Sequence, residues 1–469
     1  LVLYHEAESV LVHALELFGA STRTDWIPLG EKLLAHPSDT VRIAAIRALA
    51  KHGRVEALER AASDPSSRVQ AYAAFHLAHR QADTDLTTNP LVTVIMQLPG
   101  EFGRQNRRDL LAAVSDAPDE RAVELLIAFA QLPEFDDDDE AIELIAGAMA
   151  GIKSHRFIPV CIARLGKHAG REGIGEALVA LGEPALDALE QALLAGPGER
   201  RIRLHVPQSI ARFGSQRAAD ILVEQLERET DGLVRYKALR ALGRLVATRD
   251  VKVDRRRIEK EARKNLEEYL RLLSLHVALA RGRSTPPNIE SGSRTSSTPP
   301  PRSPDAGGQL LTELIADKLR QSMERAFRLL KIAHKREDIH RVHTAAMSSD
   351  RRARASAGEF LDVLLARRDQ QPLRELLSVV VDEASDAERI RRAAASGRAL
   401  ALSQEQALAM LLDDRDDALA ALAAHRALSL EDGALRAAVA RAGERRPSLK
   451  AMSEHLFGLQ PPPIVVVGG

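Results

Sequence analysis

The stretch Pro37–Gly53, PSDTVRIAAIRALAKHG, decides the fold, because Pro65–Gln81, PSSRVQAYAAFHLAHRQ, repeats its pattern 28 residues later. The offset superposes Val41 on Val69, Ala45 on Ala73 and Leu49 on Leu77. A third copy, DGLVRYKALRAL, runs from Asp231 to Leu242, with Val234, Arg235, Ala238 and Leu242 in the places of Val41, Arg42, Ala45 and Leu49. Weaker copies lie at Asp350 to Leu361 and Asp413 to Leu428. An Asp or Ser at the start of each copy can cap a helix, and apolar residues at i, i+4 and i+8 make one stripe on it. The Ala in the middle of that stripe lets a neighbouring helix come close. Leu-rich stretches such as Leu29 to Leu34 supply the first helix of each pair. A pair of this kind cannot cover its own stripe and must stack on the next. The predicted fold is therefore all-α: an α-solenoid of antiparallel helix pairs in a right-handed stack, roughly ten pairs at about 30 to 45 residues each.

Composition agrees with that fold and narrows the function. Sixty-six Lys and Arg balance 66 Asp and Glu, which does not favour nucleic-acid or membrane-surface binding by the chain as a whole. Hydrophobic residues at 45% against 28% charged allow a sizeable core, and only 3% aromatic residues suit closely packed helices better than sheets. The single cysteine, Cys161, excludes an intrachain disulfide framework and favours a reducing, cytoplasmic setting. No apolar run reaches the roughly 20 residues of a membrane helix. The Pro/Ser/Gly-rich stretch 284–308 reads as a disordered linker or inserted loop between an N-terminal array, 1–283, and a C-terminal array, 309–458. The helices predicted on either side of it, Ala262 to Arg281 and Leu310 to His334, are amphipathic enough to form one pair. The chain opens at Leu1 without a methionine and closes in a tail, 459–469, just after Ile464 to Val467; both ends read as cut, so a longer protein is expected.

The pattern of Asp or Pro, then Val-Arg, then Ala and Ala-Leu resembles HEAT repeats. The stretch Phe157 to Leu245, which contains RIRLHVP and IARFGSQRAADILVEQL, is similar to HEAT segments attached to bacterial membrane proteins of the major-facilitator or ATP/ADP-carrier kind, and Leu311 to Leu365 continues the likeness. This resemblance implies a cytosolic regulatory arm, with membrane association through a segment outside these residues and no transport activity within them. A HEAT-like solenoid also implies a protein partner, bound along its surface. The candidate surface residues are Arg42, Arg47, Arg235, Lys237 and Arg240, opposed by acids such as Glu31 and Glu56. For Arg42 and Arg235 the family implies another role, an ion pair to the adjacent repeat, and that role is preferred.

Other clusters read as structure. Glu134 to Glu140, EFDDDDE, lacks the glycine and spacing of a calcium loop and reads as a solvated loop capping the helix at Ala141, with Phe135 as an anchor. His334, Glu337, Asp338, His340 and His343 read as a solvated helix start rather than a metal site. Arginine pairs such as Arg351-Arg352 and Arg391-Arg392 would suit a DNA-repair glycosylase only if they made one basic cleft; interleaved acids and scarce aromatics oppose that. No GxSxG, HExxH or P-loop string occurs, and Cys161 in FIPVCIARL reads as buried packing. The expected function is a non-catalytic scaffold, with no catalytic residue, no cofactor, no metal and no nucleic-acid partner. The alternatives are a free-standing assembly scaffold and, less favoured, the glycosylase.

Overall fold

In the computed structural model the described residues are 7–81, 85–194, 199–281, 306–382, 384–430 and 432–446, and no strand occurs among them. The chain divides into two compact units, Leu1–Val251 and Lys252–Gly469. The first contains α1 (Glu8–Ala20), α2 (Ile27–Leu33), α3 (Asp39–Lys51), α4 (Val55–Ala61), α5 (Ser67–Gln81), α6 (Pro90–Gln97), α7 (Gly100–Asp116) and α8 (Val123–Gln131). It continues through α9 (Asp139–Ile152), α10 (Ile158–Arg164), α11 (Arg171–Ala180), α12 (Glu183–Leu194), α13 (Arg200–Arg203), α14 (Val206–Arg212), α15 (Gln216–Arg228) and α16 (Gly232–Thr248).

Helices α1, α3, α5, α7, α9, α11, α14 and α16 pack side by side in chain order as one row, and α2, α4, α6, α8, α10, α12 and α15 lie against it as a second layer. The repeated stripe explains the row. Val41, Ala45 and Leu49 on α3, Val69 and Ala73 on α5, and Val234, Ala238 and Leu242 on α16 are all fully buried. Small residues set the spacing: a Cβ on Gly19 of α1 would stand 3.0 Å from the Cα of Ala48 on α3. Asp231 caps α16 by accepting from the backbone N–H of Leu233 and Val234 at 2.9 and 3.1 Å. In α2, α6, α10 and α14 a proline stands in the first turn, where its missing N–H costs no helical bond. Ala45→Phe forces an aromatic ring into this interface and should lower the stability of the first unit by about 1–3 kcal/mol, read from its melting temperature. An unchanged melting temperature would remove the buried stripe from the account.

The second unit contains α17 (Arg255–Arg281), α18 (Ala306–Ala333), α19 (Ile339–Ala346), α20 (Arg351–Leu364), α21 (Gln371–Val381), α22 (Asp386–Ala395), α23 (Gln404–Leu412), α24 (Asp417–Ser429) and α25 (Gly433–Arg445). Helices α17 and α18 run antiparallel. Glu259 meets His334 near one end of the pair, Ser322 donates to the Asn265 carbonyl at 2.7 Å further along, and Leu279 and Leu311 share a core at the other end. That core also takes Leu408 and Leu411 of α23 and Ala420 and Ala424 of α24.

The division between the units therefore puts α17 with α18, ahead of the Pro/Ser/Gly stretch, and Ala306 to Gly308 at the end of that stretch already belong to α18. Residues 284–305, the end of the C-terminal array beyond Arg446 and the tail 459–469 lie outside the described residues. The two weaker copies of the repeat form α20 and α24, capped by Asp350 and Asp416.

Candidate interaction surface

Arg42 is spent on holding repeats together. Its Nη1 donates to the carbonyls of His36 and Pro37 at 2.7 and 2.9 Å, while Nε and Nη2 lie 2.9 and 3.0 Å from the carboxylate of Asp64, at the turn before α5. Both side chains are close to nine-tenths buried, so the pair joins the turn before α3 to the turn before α5 with little solvent screening. Arg47 reaches further along the row. It donates to Tyr72 Oη on α5 at 3.2 Å, lies 5.1 Å above that ring and pairs with Asp116 at the end of α7, to which Tyr72 also donates.

On α16 Arg235 and Lys237 are half-buried, and the exposed Arg240 lies 6.0 Å over the Tyr236 ring. Lys237 and Arg171 both act on His205. Burial first, and then the Arg171 and Lys237 charges, push the His205 imidazole below its ordinary pKa. The five candidate residues thus fall into two separate groups, since α5, α7, α9, α11 and α14 stand between α3 and α16 in the row. Glu31, one of the opposing acids, accepts from Arg54 at 3.0 Å and lies 3.5 Å from Arg60.

Several buried arginines that the sequence did not single out do the same work as Arg42. Arg107 on α7 grips Glu134 through two parallel bonds of 2.6 and 2.7 Å. Arg164, 4% exposed, reaches Asp136 at 2.6 Å and the Phe135 carbonyl at 3.2 Å. Arg203 meets Glu229, whose side chain is 1% exposed, at 2.5 Å. A signal existed only for Arg164, a lone cation inside the apolar run FIPVCIARL. Arg107 sits among Arg104 and Arg108 with nothing in the sequence to separate it from them.

These ties change the reading of EFDDDDE. The stretch is a junction between repeats, with Asp137, Asp139 and Glu140 still exposed. Glu134 accepts from Arg107, Asp136 from Arg164 and Lys167, Asp139 from the Gly170 amide at 2.7 Å, and Glu140 from Arg108 at 2.7 Å. Asp138 caps the helix by accepting from Ala141 at 3.1 Å, and Phe135 is fully buried. The Lys167 hydrogen bond chiefly holds the Asp136 carboxyl below the usual range.

The histidine grouping also differs from the expected solvated start. Asp338 does cap α19, accepting from Arg341 N–H at 3.1 Å, but His334 is buried at the end of α18. Its Nε2 lies 3.0 Å from Glu259 Oε1, which also accepts from Gln370 at 2.6 Å and from Arg255 at 2.7 Å. Burial pushes the Glu259 carboxyl up, yet hydrogen bonds from His334, Arg255 and Gln370 leave it below its ordinary pKa. His343 packs its ring 4.6 Å from Phe327. Among the described residues no group of three or more His, Cys, Asp or Glu is placed to hold a metal ion. Cys161 is fully buried 3.7 Å from Met149 Sδ, and burial pushes its thiol up to about 12, which makes it unreactive as a nucleophile.

One histidine gives the row a pH dependence. Burial, with His79, Arg47 and Lys51 nearby, lowers the His76 pKa to about 4. Because the folded pKa lies below the unfolded one, the unfolded chain takes up the proton first. Stability is then complete above about pH 6.5 and falls by about 3 kcal/mol as the pH drops to about 4. Urea unfolding of the first unit across that window should show the loss, and His76→Gln should reduce it; an identical pH profile in the variant would exclude His76 as the source.

No curated protein matches the chain. Residues 169–243, which span α11 to most of α16 and lie inside the stretch Phe157 to Leu245, match HEAT repeats. That match supports HEAT repeats over residues 169–243, and the two packed layers around them are consistent with an all-α HEAT-like solenoid.

Proposed function

We propose that the chain is a non-catalytic protein-interaction scaffold. The observation that carries this reading is the row α3 to α16: one helix of each repeat lies beside the next, so side chains of successive repeats form a continuous surface of the kind extended protein recognition uses. The buried Arg–acid pairs hold the repeats in register, and Lys237 and Arg240 on α16 remain the candidates for contact with a partner. Affinity capture with the full chain, repeated with Lys237→Glu and Arg240→Glu, tests the surface. Loss of a stoichiometric partner in the variants supports it. Retention of every partner moves binding away from α16.

Within that reading we assign the chain as the cytosolic regulatory arm of a bacterial transporter-like membrane protein. Support comes from the likeness of Phe157 to Leu245 and Leu311 to Leu365 to HEAT segments of such proteins. Among the described residues no helix is long and apolar enough to cross a membrane, so the arm would be tethered by other segments. The genomic reading frame tests this directly. Membrane-spanning segments in frame with Leu1 support the arm, and their absence on both sides leaves a free-standing scaffold.

A further inference from the structure

A concavity of about 780 Å³ opens among α20, α21 and α22 of the second unit. Arg351, Arg352, Arg354, Arg374 and Arg392 line it against only two acids, Asp362 and Asp382. Arg374 lies 3.9 Å from Asp362, and Arg392 pairs with Asp382 and with Glu388, the latter at 3.1 Å. Beneath them the buried side chains of Leu361, Leu377 and Val381 make an apolar floor.

The start of α20 is basic, with Asp350 as its capping acid. Arg351, Arg352 and Arg354 fall within the first four residues of α20, and that turn contains no acid. Cations there oppose the helix dipole, which favours negative charge at an N-terminus. Arg354 Nε is in addition buried without a hydrogen-bond partner, a cost that an incoming acceptor would relieve.

The lining selects the class of ligand. Nucleic acid would meet Asp362 and Asp382 and would find no aromatic ring to stack on. An amphipathic segment instead places carboxylates on the arginines and apolar side chains on the floor. We propose that the groove of α20 to α22 docks an acidic, amphipathic segment of a partner protein. The inference rests on the scaffold reading and adds to it a location and a partner chemistry.

The test uses the full chain and a fluorescein-labelled peptide built from repeated Leu-Glu-Glu-Leu units, followed by anisotropy. Binding should saturate, weaken with added salt and fall about tenfold or more in Arg352→Glu and in Arg374→Glu, the loss of roughly one strong charge contact each. A peptide with glutamine in place of every glutamate should not bind. Arg352 is exposed, so its variant should keep the helical circular dichroism of the parent and decides the matter even if Arg374→Glu does not fold. Four results would overturn the groove: no saturable binding, equal binding of the glutamine peptide, tighter binding of oligothymidine, or complete displacement by inorganic phosphate, which marks a small-anion site. A protein partner held equally by the parent and both variants would also overturn the groove while leaving the scaffold reading intact.

Discussion

Gly170→Ala should destabilise the first unit by about 4 kcal/mol, combining a left-handed backbone strain of about 1–2 kcal/mol with an overpacking cost of about 1–3 kcal/mol. Gly170 stands immediately before α11 with φ 61° and ψ 19°. A Cβ there would lie 2.2 Å from Ile142 Cγ2 and 2.6 Å from Ile142 Cβ. Ile142 is fully buried on α9, so the methyl group has no exit except by moving α11 away from α9. The same movement would pull the Gly170 amide from Asp139, the acid that ties this turn to the preceding repeat. Gly182 provides the control: its φ is 76°, but nothing lies within 4 Å of its absent Cβ. Gly182→Ala should therefore lose only the backbone part. The chain's single tryptophan, Trp26, is buried in the first unit, so its fluorescence reports the unfolding of that unit in urea. Equal losses in the two variants would mean that the Ile142 contact does not set the spacing of α9 and α11.

The second large effect is expected at Arg107→Leu, at about 3–5 kcal/mol. Arg107 is 7% exposed and donates to the Leu98 carbonyl at 2.6 Å as well as to both oxygens of Glu134. Those hydrogen bonds from Arg107 to Glu134 raise the guanidinium pKa further, so Arg107 keeps its charge at every ordinary pH. Leucine fills much of the volume but leaves a carboxylate and a carbonyl without their donor, and that residue of unmet polarity is the source of the loss. Arg107→Leu combined with Glu134→Leu should recover part of it, because the orphaned acid is removed too. Exposed pairs behave differently. Arg217 meets Glu183, Asp187 and Glu190 at the surface, where solvent screens the charges, and Arg217→Ala should change stability far less than Arg107→Leu. If Arg107→Leu cost no more than Arg217→Ala, the buried ties would not be what holds the repeats together.

Much of the fold was legible because it is written in a repeat. Val41, Ala45 and Leu49 recur as Val69, Ala73 and Leu77, and a stripe that recurs at fixed spacing has one physical use, stacking on a copy of itself. The caps were legible in part: Asp231 and Asp350 open their copies and accept from the first amides, but the copy from Asp413 is capped by Asp416, and Ser38 before α3 makes no side-chain cap bond. What the sequence hid was the partner of each charge. EFDDDDE looks like a solvated acidic loop until Arg107 of α7, Arg164 of α10 and Lys167 of the turn after α10 are brought to it by the fold. His334 looked like part of a solvated start because Glu259 lies 75 residues away and Gln370 comes from a later turn. The pairing of α17 with α18 across the Pro/Ser/Gly stretch was legible, because both flanking helices carry amphipathic patterns, while the boundary at Val251 carried no sequence signal. Periodicity shows which face of a helix is buried, but which side chain of another repeat meets it is settled only by the stack.

The central claim is that this chain works by holding another protein. Chemical cross-linking in living cells at native expression level, followed by mass spectrometry of the linked peptides, tests it most directly. The account predicts reproducible links from one other polypeptide to α16 or to the α20 to α22 groove. Links confined to this chain, in cells where it is abundant and folded, would contradict it.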